Sequence, residues 1–257
     1  YQKQRSFQEL NNGFDDKVQK KSFAAYGTLS FLLEAFFSGH INYIQQSDPL
    51  FKDYVQILYS GGDDLFAVGR WDAIIEFAAK VRNKFKQFVG REDITISGGI
   101  AIVGAKYPIM KSAELAGEME KKAKEFNSKS KNAINFFGET VSWNKEFDFV
   151  RSMKESFTYF DGEVSRALIQ NIQKYKQIKD DGIKSETKDI SYLWNSAYSI
   201  TRTLERLHDS QVEAISFVDN IRNNILHNEE FGSERYLDLL SLAARWAEYI
   251  LKLTKKQ

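Results

Sequence analysis

The sequence contains no cysteine and only two prolines among its 257 residues. The lack of cysteine excludes a disulfide framework, a thiolate zinc site and a cysteine nucleophile, and a reducing cytoplasm is the simplest expected location. No apolar run reaches the roughly 18 residues that a membrane helix needs, because "FLLEAFF" is short and carries Glu34. We therefore expect a soluble protein with no membrane partner. The start at Tyr1 suggests a piece of a longer polypeptide.

An excess of one charge is also lacking, since 36 Lys and Arg nearly balance 35 Asp and Glu for a net charge of +1. This balance does not predict a free-standing nucleic-acid binder. Histidine is scarce, and the three present are His40, His208 and His227. His208 and Asp209 have no neighbouring metal ligands in sequence, so we interpret them as a helix-surface pair. The 20 Phe, 12 Tyr and 4 Trp lie mostly at helical or strand spacing with aliphatics, which predicts core packing rather than base stacking.

The first half of the chain alternates between helical and strand patterns. Apolar residues step by three and four from Ser22 to about Gln46, which predicts an amphipathic helix. "YVQILYS" and "LFAVG" predict a hairpin that turns at Gly61 and Gly62. A helix, a strand and a second helix are predicted next, in "WDAIIEFAAKVRNKFKQF", "ITISGGIAIV" and "PIMKSAELAGEMEKKAKEF". This order matches most of a ferredoxin-like unit, whose first strand has no counterpart in the polar residues 1–20.

The second half of the chain carries helical patterns only. The strand signal ends after Trp143, and the helical stretches are separated by one charged loop, "KQIKDDGIKSETKDI". We predict an α+β domain over residues 1–142 and an all-α helical bundle over residues 143–257. Three arginines of the second domain are candidate contacts for RNA phosphates or acidic protein surfaces, or else part of a solvated face: Arg202, Arg206 and Arg222.

The stretch "YSGGDDLFAVG" places two adjacent carboxylates, Asp63 and Asp64, at a glycine turn. Mg²⁺ prefers oxygen ligands and is usually held by one or two carboxylates together with substrate phosphates. Gly61 and Gly62 would let a triphosphate approach the backbone. A solvated hairpin turn explains this motif equally well when it is taken alone, because Gly and Asp are common turn residues.

Two further stretches extend the motif to a candidate triphosphate pocket. Ser97 and Gly98 belong to "SGG" within a predicted strand, where glycines mark a bulge or the close approach of a ligand. Lys124 and Lys131 follow near the end of the next helix, either as cations for a phosphate or as a solvated lysine face. Together these residues predict a triphosphate pocket in which carboxylates hold a metal ion, glycines let the phosphates approach the backbone and lysines neutralise the phosphate charge.

The same stretches, with "TLSFLLEAFFSGHINYI" and "KNAINFFGETVSW", closely resemble the second palm domain of the large, polymerase-like subunit of type III CRISPR effector complexes of the Csm type. The helical remainder is similar to the C-terminal domain of that family. The resemblance implies a palm like that of nucleotide cyclases and polymerases, and synthesis of cyclic oligoadenylates from ATP on target RNA binding, in antiviral defence. Asp63 and Asp64 would be the catalytic residues and would hold Mg²⁺ or Mn²⁺. ATP would be contacted by Ser60, Gly61, Gly62, Ser97, Gly98, Lys124 and Lys131.

The resemblance also implies partners, namely other subunits of the effector complex, the CRISPR guide RNA and the target RNA. The family's His-Asp nuclease domain lies N-terminal to the matching residues, so we assign no nuclease to this chain. The family carries a further aspartate on the strand before the first helix, which residues 1–20 do not convincingly supply. Two alternatives stay open: a non-catalytic scaffold that docks subunits and RNA, and a diguanylate-cyclase-like enzyme, against which the helical domain argues by resemblance.

Overall fold

A computed structural model describes residues 23–129, 131–162, 164, 166–184 and 191–254. The chain divides into two compact units, Tyr1–Phe136 and Phe137–Gln257. The first strand and the aspartate discussed for residues 1–20 lie outside the described residues, so the ferredoxin-like interpretation of the palm stays a prediction. Within the described residues, no helix is long and apolar enough to cross a membrane.

The first unit opens with helices interrupted by a wider turn. The elements are α1 (Phe23–Glu34), a π-helical turn (Ala35–His40), α2 (Ile41–Ser47) and α3 (Pro49–Tyr54). The prediction of one regular helix from Ser22 to about Gln46 is therefore wrong in its middle. The wide turn accompanies full burial of two adjacent aromatic residues, Phe36 and Phe37. Single π-turns inside helices are rare and occur frequently at functional sites.

The predicted hairpin and the helix after it are confirmed. β1 (Val55–Gly61) pairs antiparallel with β2 (Asp64–Gly69), and α4 (Trp71–Val89) follows. The inward face of α4 is apolar at four-residue spacing, which matches the turn of an α-helix. It joins the buried aromatic residues of the π-turn and of α3 in one core. The core residues contributed by α4 include Ala73, Phe77, Val81 and Phe85.

A second, parallel strand pair completes the first unit. β3 (Gly98–Ile100) and β4 (Ala133–Phe136) are joined by α5 (Ile109–Lys129), as a parallel pair requires a crossover. The strand predicted for "ITISGGIAIV" is wrong over most of its length, since only three residues are paired. Ile94 and Ile96 instead pack against the hairpin core.

The second unit starts with a short strand and continues as helices. Its strand is β5 (Glu139–Ser142). From residue 143 onward, every regular element of the described residues is a helix. The bounds are α6 (Glu146–Tyr159), α7 (Arg166–Lys184), α8 (Ser191–Leu204), α9 (Val212–Leu226) and α10 (Ser233–Thr254). The centre of this unit is α10, which packs against α6 and α7 and buries Tyr236, Leu240 and Trp246.

Candidate functional site

The Gly-Gly-Asp-Asp motif forms the tip of the β1–β2 hairpin. Gly61 pairs with Asp64, which leaves Gly62 and Asp63 as a two-residue loop. Gly62 has a φ of 65°, a conformation that glycine adopts without a steric penalty. Tight hairpins favour turns with this backbone at the first loop position. Both aspartates are exposed to solvent at the tip.

The hairpin tip is tied to the end of α1 by side chains that cross between the two elements. The amide of Gly62 donates a hydrogen bond to Glu34 Oε2 at 2.7 Å. The hydroxyl of Ser38 donates to Oε1 of the same carboxylate. The hydroxyl of Ser60, a predicted nucleotide contact, donates to the backbone carbonyl of Phe37 in the π-turn. Glu34 is thus a third carboxylate at the tip, and sequence reasoning missed it.

A sequence signal for Glu34 does exist. It is the one acidic residue in the apolar run "FLLEAFF", directly before two adjacent phenylalanines. Phe36 and Phe37, both buried, lie in the π-turn that directly follows it. The partner of Glu34 lies 28 residues away, and no local pattern identifies it.

The residues at the tip fit a metal ion that arrives together with a nucleotide. Asp63 and Asp64 offer carboxylate oxygens, which suit Mg²⁺ and Mn²⁺. Across the part of the chain that the structure describes, no group of three or more His, Cys, Asp or Glu is arranged to hold a metal. Mg²⁺ commonly takes one or two carboxylates and completes its shell with water and substrate phosphates. The donor set therefore suits a substrate-assisted site rather than a closed protein cage.

The glycines of "SGG" have two different environments. A Cβ added at Gly98 would meet no atom within 4 Å, so the surface there is open. A Cβ added at Gly99 would lie 2.2 Å from the backbone nitrogen of Glu120, so this glycine allows α5 to pack on β3. Ser97 Oγ accepts a long hydrogen bond of 3.5 Å from the amide of Ala133. Close helix packing thus accounts for Gly99, and an open approach is left at Gly98.

The two predicted lysines lie at the end of α5 and in the loop after it. Lys124 forms an ion pair of 2.6 Å with Glu120, and both side chains are well exposed. Lys131 has a φ of 57°, which is uncommon for a residue with a side chain. The fold brings residues 60–64 together at the hairpin tip, whereas Ser97 and Gly98 lie at a different sheet. A single pocket formed by all the predicted site residues stays a prediction.

The described first unit also contains a cleft away from these residues. It is a shallow depression between the end of α4 and the segment before β3. Two of its basic residues have acidic partners close in sequence: Lys86 is 2.9 Å from Glu92, and Arg91 is 2.5 Å from Asp93. None of the predicted site residues lines this cleft.

The histidines take part in no metal group among the described residues. His208 and Asp209 lie in the turn after α8, so their interpretation as a helix-surface pair is corrected to a surface turn. The His208 ring Nδ1 is 2.9 Å from Ser210 Oγ. His40 stacks on Tyr43 at a centroid distance of 5.9 Å, and His227 is exposed beside Glu229.

The arginines proposed as docking residues are all on helices or turns of the second unit. The Arg202 guanidinium lies 5.2 Å from the centre of the exposed Tyr198 ring. Arg222 pairs with Asp219 at 2.5 Å on the same helix. Arg206 is exposed in the turn after α8. These positions suit either a partner surface or a solvated face.

Comparison with known proteins identifies the family. The sequence model of the Cas10/Cmr2 second palm domain matches residues 7–135. The chain therefore belongs to the Cas10/Cmr2 family of palm-domain proteins, and the resemblance predicted from its motifs is confirmed.

Curated relatives narrow the comparison to one subtype. A protein of Mycobacterium tuberculosis is 32% identical over 191 residues, which cover 68% of this chain and 24% of the relative. A protein of Methanocaldococcus jannaschii is 28% identical over 176 residues, which cover 61% of this chain and 22% of the relative. Both are named CRISPR system single-strand-specific deoxyribonuclease Cas10/Csm1 (subtype III-A). The chain thus spans about a quarter of the length of the relatives that it matches.

Solved structures share the fold. A Csm1–Csm4 cassette in complex with pppApApA superposes with a TM-score of 0.61 at 19% identity, covering 86% of this chain and 33% of that one. The cassette in complex with cA4 gives a TM-score of 0.59 at 19% identity, with 86% and 33% covered. At this level of identity, the likeness shows the fold alone.

Proposed function

We propose that this chain is a nucleotide-joining palm module of a type III-A effector subunit, and that it synthesises cyclic oligoadenylates from ATP when target RNA binds, as part of antiviral defence. The observation that carries the proposal is the exposed Gly61–Asp64 turn within a matched second palm domain. Neighbouring structures in complex with pppApApA, cA3, cA4 and one ATP support this substrate class. Those ligands were bound by the neighbours.

In this proposal the chain binds and orients two ATP molecules. The 3′-oxygen of one ATP bonds to the α-phosphorus of the other, the bond from that phosphorus to the α,β-bridging oxygen breaks, pyrophosphate leaves and the 3′-hydroxyl proton passes to water. The same step between the two ends of one oligoadenylate closes the ring. Mg²⁺ or Mn²⁺ held by Asp63 and Asp64 would polarise the phosphates and make the 3′-hydroxyl more acidic. The backbone at Gly98 is open to a phosphate group, and Gly61 and Gly62 place no side chain between the tip carboxylates and a bound nucleotide. Ser60 and Ser97 offer hydroxyl oxygens near these glycines, and Lys124 and Lys131 neutralise phosphate charge.

The proposed partners are other subunits of the effector complex, the CRISPR guide RNA and the target RNA, in the cytoplasm. A second candidate function is a non-catalytic scaffold that docks these partners. The observation that favours it is the second unit, where Trp194 and Tyr198 are 64% and 62% exposed on one face of α8, next to Arg202. Trp, Tyr and Arg are enriched among the residues that dominate protein interfaces. In this alternative both the palm and the helical domain dock partners, and docking can coexist with catalysis.

The test replaces both tip carboxylates in the full-length subunit within the assembled complex. We expect Asp63→Ala with Asp64→Ala to abolish oligoadenylate formation from ATP while assembly continues, because exposed turn carboxylates contribute little to folding. Product is measured by chromatography after addition of target RNA. The matched control is Asp53→Ala, an exposed aspartate in α3. Unchanged product formation would contradict the catalytic assignment, and failed assembly would make the pair structural.

A further inference from the structure

The amide of Gly62 has its hydrogen-bond partner outside the hairpin. The pairing of Gly61 with Asp64 leaves Gly62 as the first residue of a two-residue loop, beyond the ladder. Its N–H donates to Glu34 Oε2 at 2.7 Å, across 28 residues of sequence.

The surrounding residues fit the Glu34 carboxylate closely. Ser38, one turn further along the chain, donates its hydroxyl to Glu34 Oε1. A Cβ added at Gly61 would meet Ser38 Oγ at 3.7 Å and Glu34 Oε1 at 3.8 Å. Thus the second carboxylate oxygen is oriented by a hydroxyl, and a side chain at position 61 would come into van der Waals contact with it.

The π-turn supplies a second attachment. Its backbone has the wide hydrogen-bond spacing, in which the amide of Ile41 bonds to the carbonyl of Phe36. The carbonyl of Phe37 accepts from the hydroxyl of Ser60, and the carbonyl of Ser38 accepts from the side-chain amide of Asn42 at 2.7 Å. We call Glu34, Ser38 and Ser60 the tip latch.

The tip latch restrains a turn that contains flexible glycines directly before the two aspartates. Glycine has more backbone freedom to lose than any other residue, so a Gly-Gly turn is intrinsically poorly ordered. Catalytic groups must be held within about 0.5 Å of their productive positions. The latch fixes the backbone of Gly62, immediately before Asp63 and Asp64.

We infer that Glu34 is a positioning residue for the nucleotide-joining reaction: its carboxylate holds the Gly62 amide and thereby fixes the direction in which Asp63 and Asp64 project. The inference rests on the proposed function for the role of those aspartates. Glu34 acts as a hydrogen-bond acceptor in this role, and its negative charge is secondary. Glutamine keeps an acceptor oxygen at the same reach, whereas alanine removes it.

The first experiment compares Glu34→Gln and Glu34→Ala in the full-length subunit within the assembled complex. We expect Glu34→Ala to lower kcat about 10- to 100-fold, in line with the effect of small misplacements of catalytic groups. The KM for ATP should change less than about twofold, and half-maximal activity should need more Mn²⁺. Glu34→Gln should restore kcat to within about threefold of the wild type, and the control Glu118→Ala, an exposed acid on α5, should have no effect.

Two kinetic outcomes would overturn the inference. The first is wild-type kcat and Mn²⁺ dependence in Glu34→Ala. The second is an equal loss in Glu34→Gln and Glu34→Ala, because it would assign the effect to charge instead of to the hydrogen bond.

The second experiment needs no turnover. Amide hydrogen exchange of the segment that contains Gly62 should accelerate in Glu34→Ala and stay near the wild-type rate in Glu34→Gln. Unchanged exchange in Glu34→Ala would overturn the inference even if the complex is active. If the wild-type complex makes no oligoadenylate, the proposed function fails, whereas the exchange rates still decide whether Glu34 holds the turn.

Discussion

The two units of the chain use their charged residues in opposite ways. In the first unit, Asp63 and Asp64 are exposed at a glycine turn. In the second unit, Lys176 and Lys179 are only 8% and 6% exposed. A buried charge must be compensated within the fold, whereas an exposed one stays accessible to a ligand. For these four residues, burial marks Lys176 and Lys179 as charges that hold helices together, whereas the exposed Asp63 and Asp64 stay available to a ligand.

The buried lysines of the second unit form a connected network. Lys176 Nζ is 3.0 Å from Glu139 and 2.5 Å from Asp180. Lys179 Nζ is 2.6 Å from Asp238 and donates to the Glu234 carbonyl at 2.8 Å. Burial by itself would lower the pKa of Lys176, but its acidic partners raise that pKa overall. The network joins α7 to α10 and to β5.

The largest expected effect on stability comes from opening this network. Lys179→Ala leaves the half-buried carboxylate of Asp238 with Lys176, 3.5 Å away, as its remaining cation. It also removes charge-assisted hydrogen bonds, so we expect a cost of about 1.5–3 kcal/mol of unfolding free energy. Lys174→Ala, at an exposed position of the same helix, is the matched control and should cost well under 1 kcal/mol. Denaturant unfolding measures both. Equal losses of unfolding free energy in the two variants would contradict the conclusion that the buried lysines of the second unit stabilise it more than exposed ones do.

The next prediction compares two adjacent glycines of the first unit, one that allows close helix packing and one that leaves the backbone open to a ligand. Gly99→Ala would place a Cβ 2.2 Å from the backbone of Glu120, and overpacking of this kind costs about 1–3 kcal/mol. Gly98→Ala meets no atom within 4 Å, so it should leave stability nearly unchanged. We expect Gly98→Ala to weaken ATP use instead, which initial-rate kinetics of the assembled complex would detect. A stability loss at Gly98, or none at Gly99, would contradict this division.

Sequence reasoning succeeded where a local pattern determines the structure. The apolar spacing of "WDAIIEFAAKVRNKF" is sufficient to predict α4, because one face of a helix must be buried. The glycines at 61 and 62 are sufficient to predict the hairpin, because few other residues adopt such a turn.

The missed features depend on contacts between distant residues. Ile94 and Ile96 resemble strand residues in sequence, yet they pack against the hairpin core and are not paired. In the sequence Glu34 is a single acidic residue in an apolar helix, and its hydrogen bond to Gly62 exists only in the folded chain. The same limit applies to the candidate site: its hairpin part follows from the motif, whereas its relation to Lys124 depends on tertiary placement.

A smaller effect concerns the pH dependence of the second unit. Burial alone would raise the pKa of Glu146, but the hydrogen bonds from Arg235 and from the Ser142 amide lower it overall. A lowered carboxyl pKa contributes stability above the unfolded value of about 4.3, and this contribution is lost as the pH falls through the folded pKa. Glu146→Gln should therefore cost about 1–3 kcal/mol at pH 7 and progressively less below about pH 4.

Unfolding midpoints of the wild type and Glu146→Gln between pH 3 and pH 7 measure this dependence. Glu155→Gln, which changes a 63% exposed side chain, provides the control. A constant difference between the wild type and Glu146→Gln across this range would mean that the ion pair with Arg235 is not the source of the stability.

The smallest expected stability effect belongs to Lys124. Its exposed pair with Glu120, one helical turn away, contributes only about 0.3–0.5 kcal/mol. A charge-assisted phosphate contact contributes about 1.5–3 kcal/mol, so Lys124→Ala should raise the KM for ATP about tenfold or more while the melting temperature hardly changes. Lys121→Ala, on an exposed position of the same helix, should alter neither. A normal ATP dependence with a much lower melting temperature would assign Lys124 to the structure of the first unit. Exposure of a charged side chain would then not be sufficient to indicate that it binds the substrate.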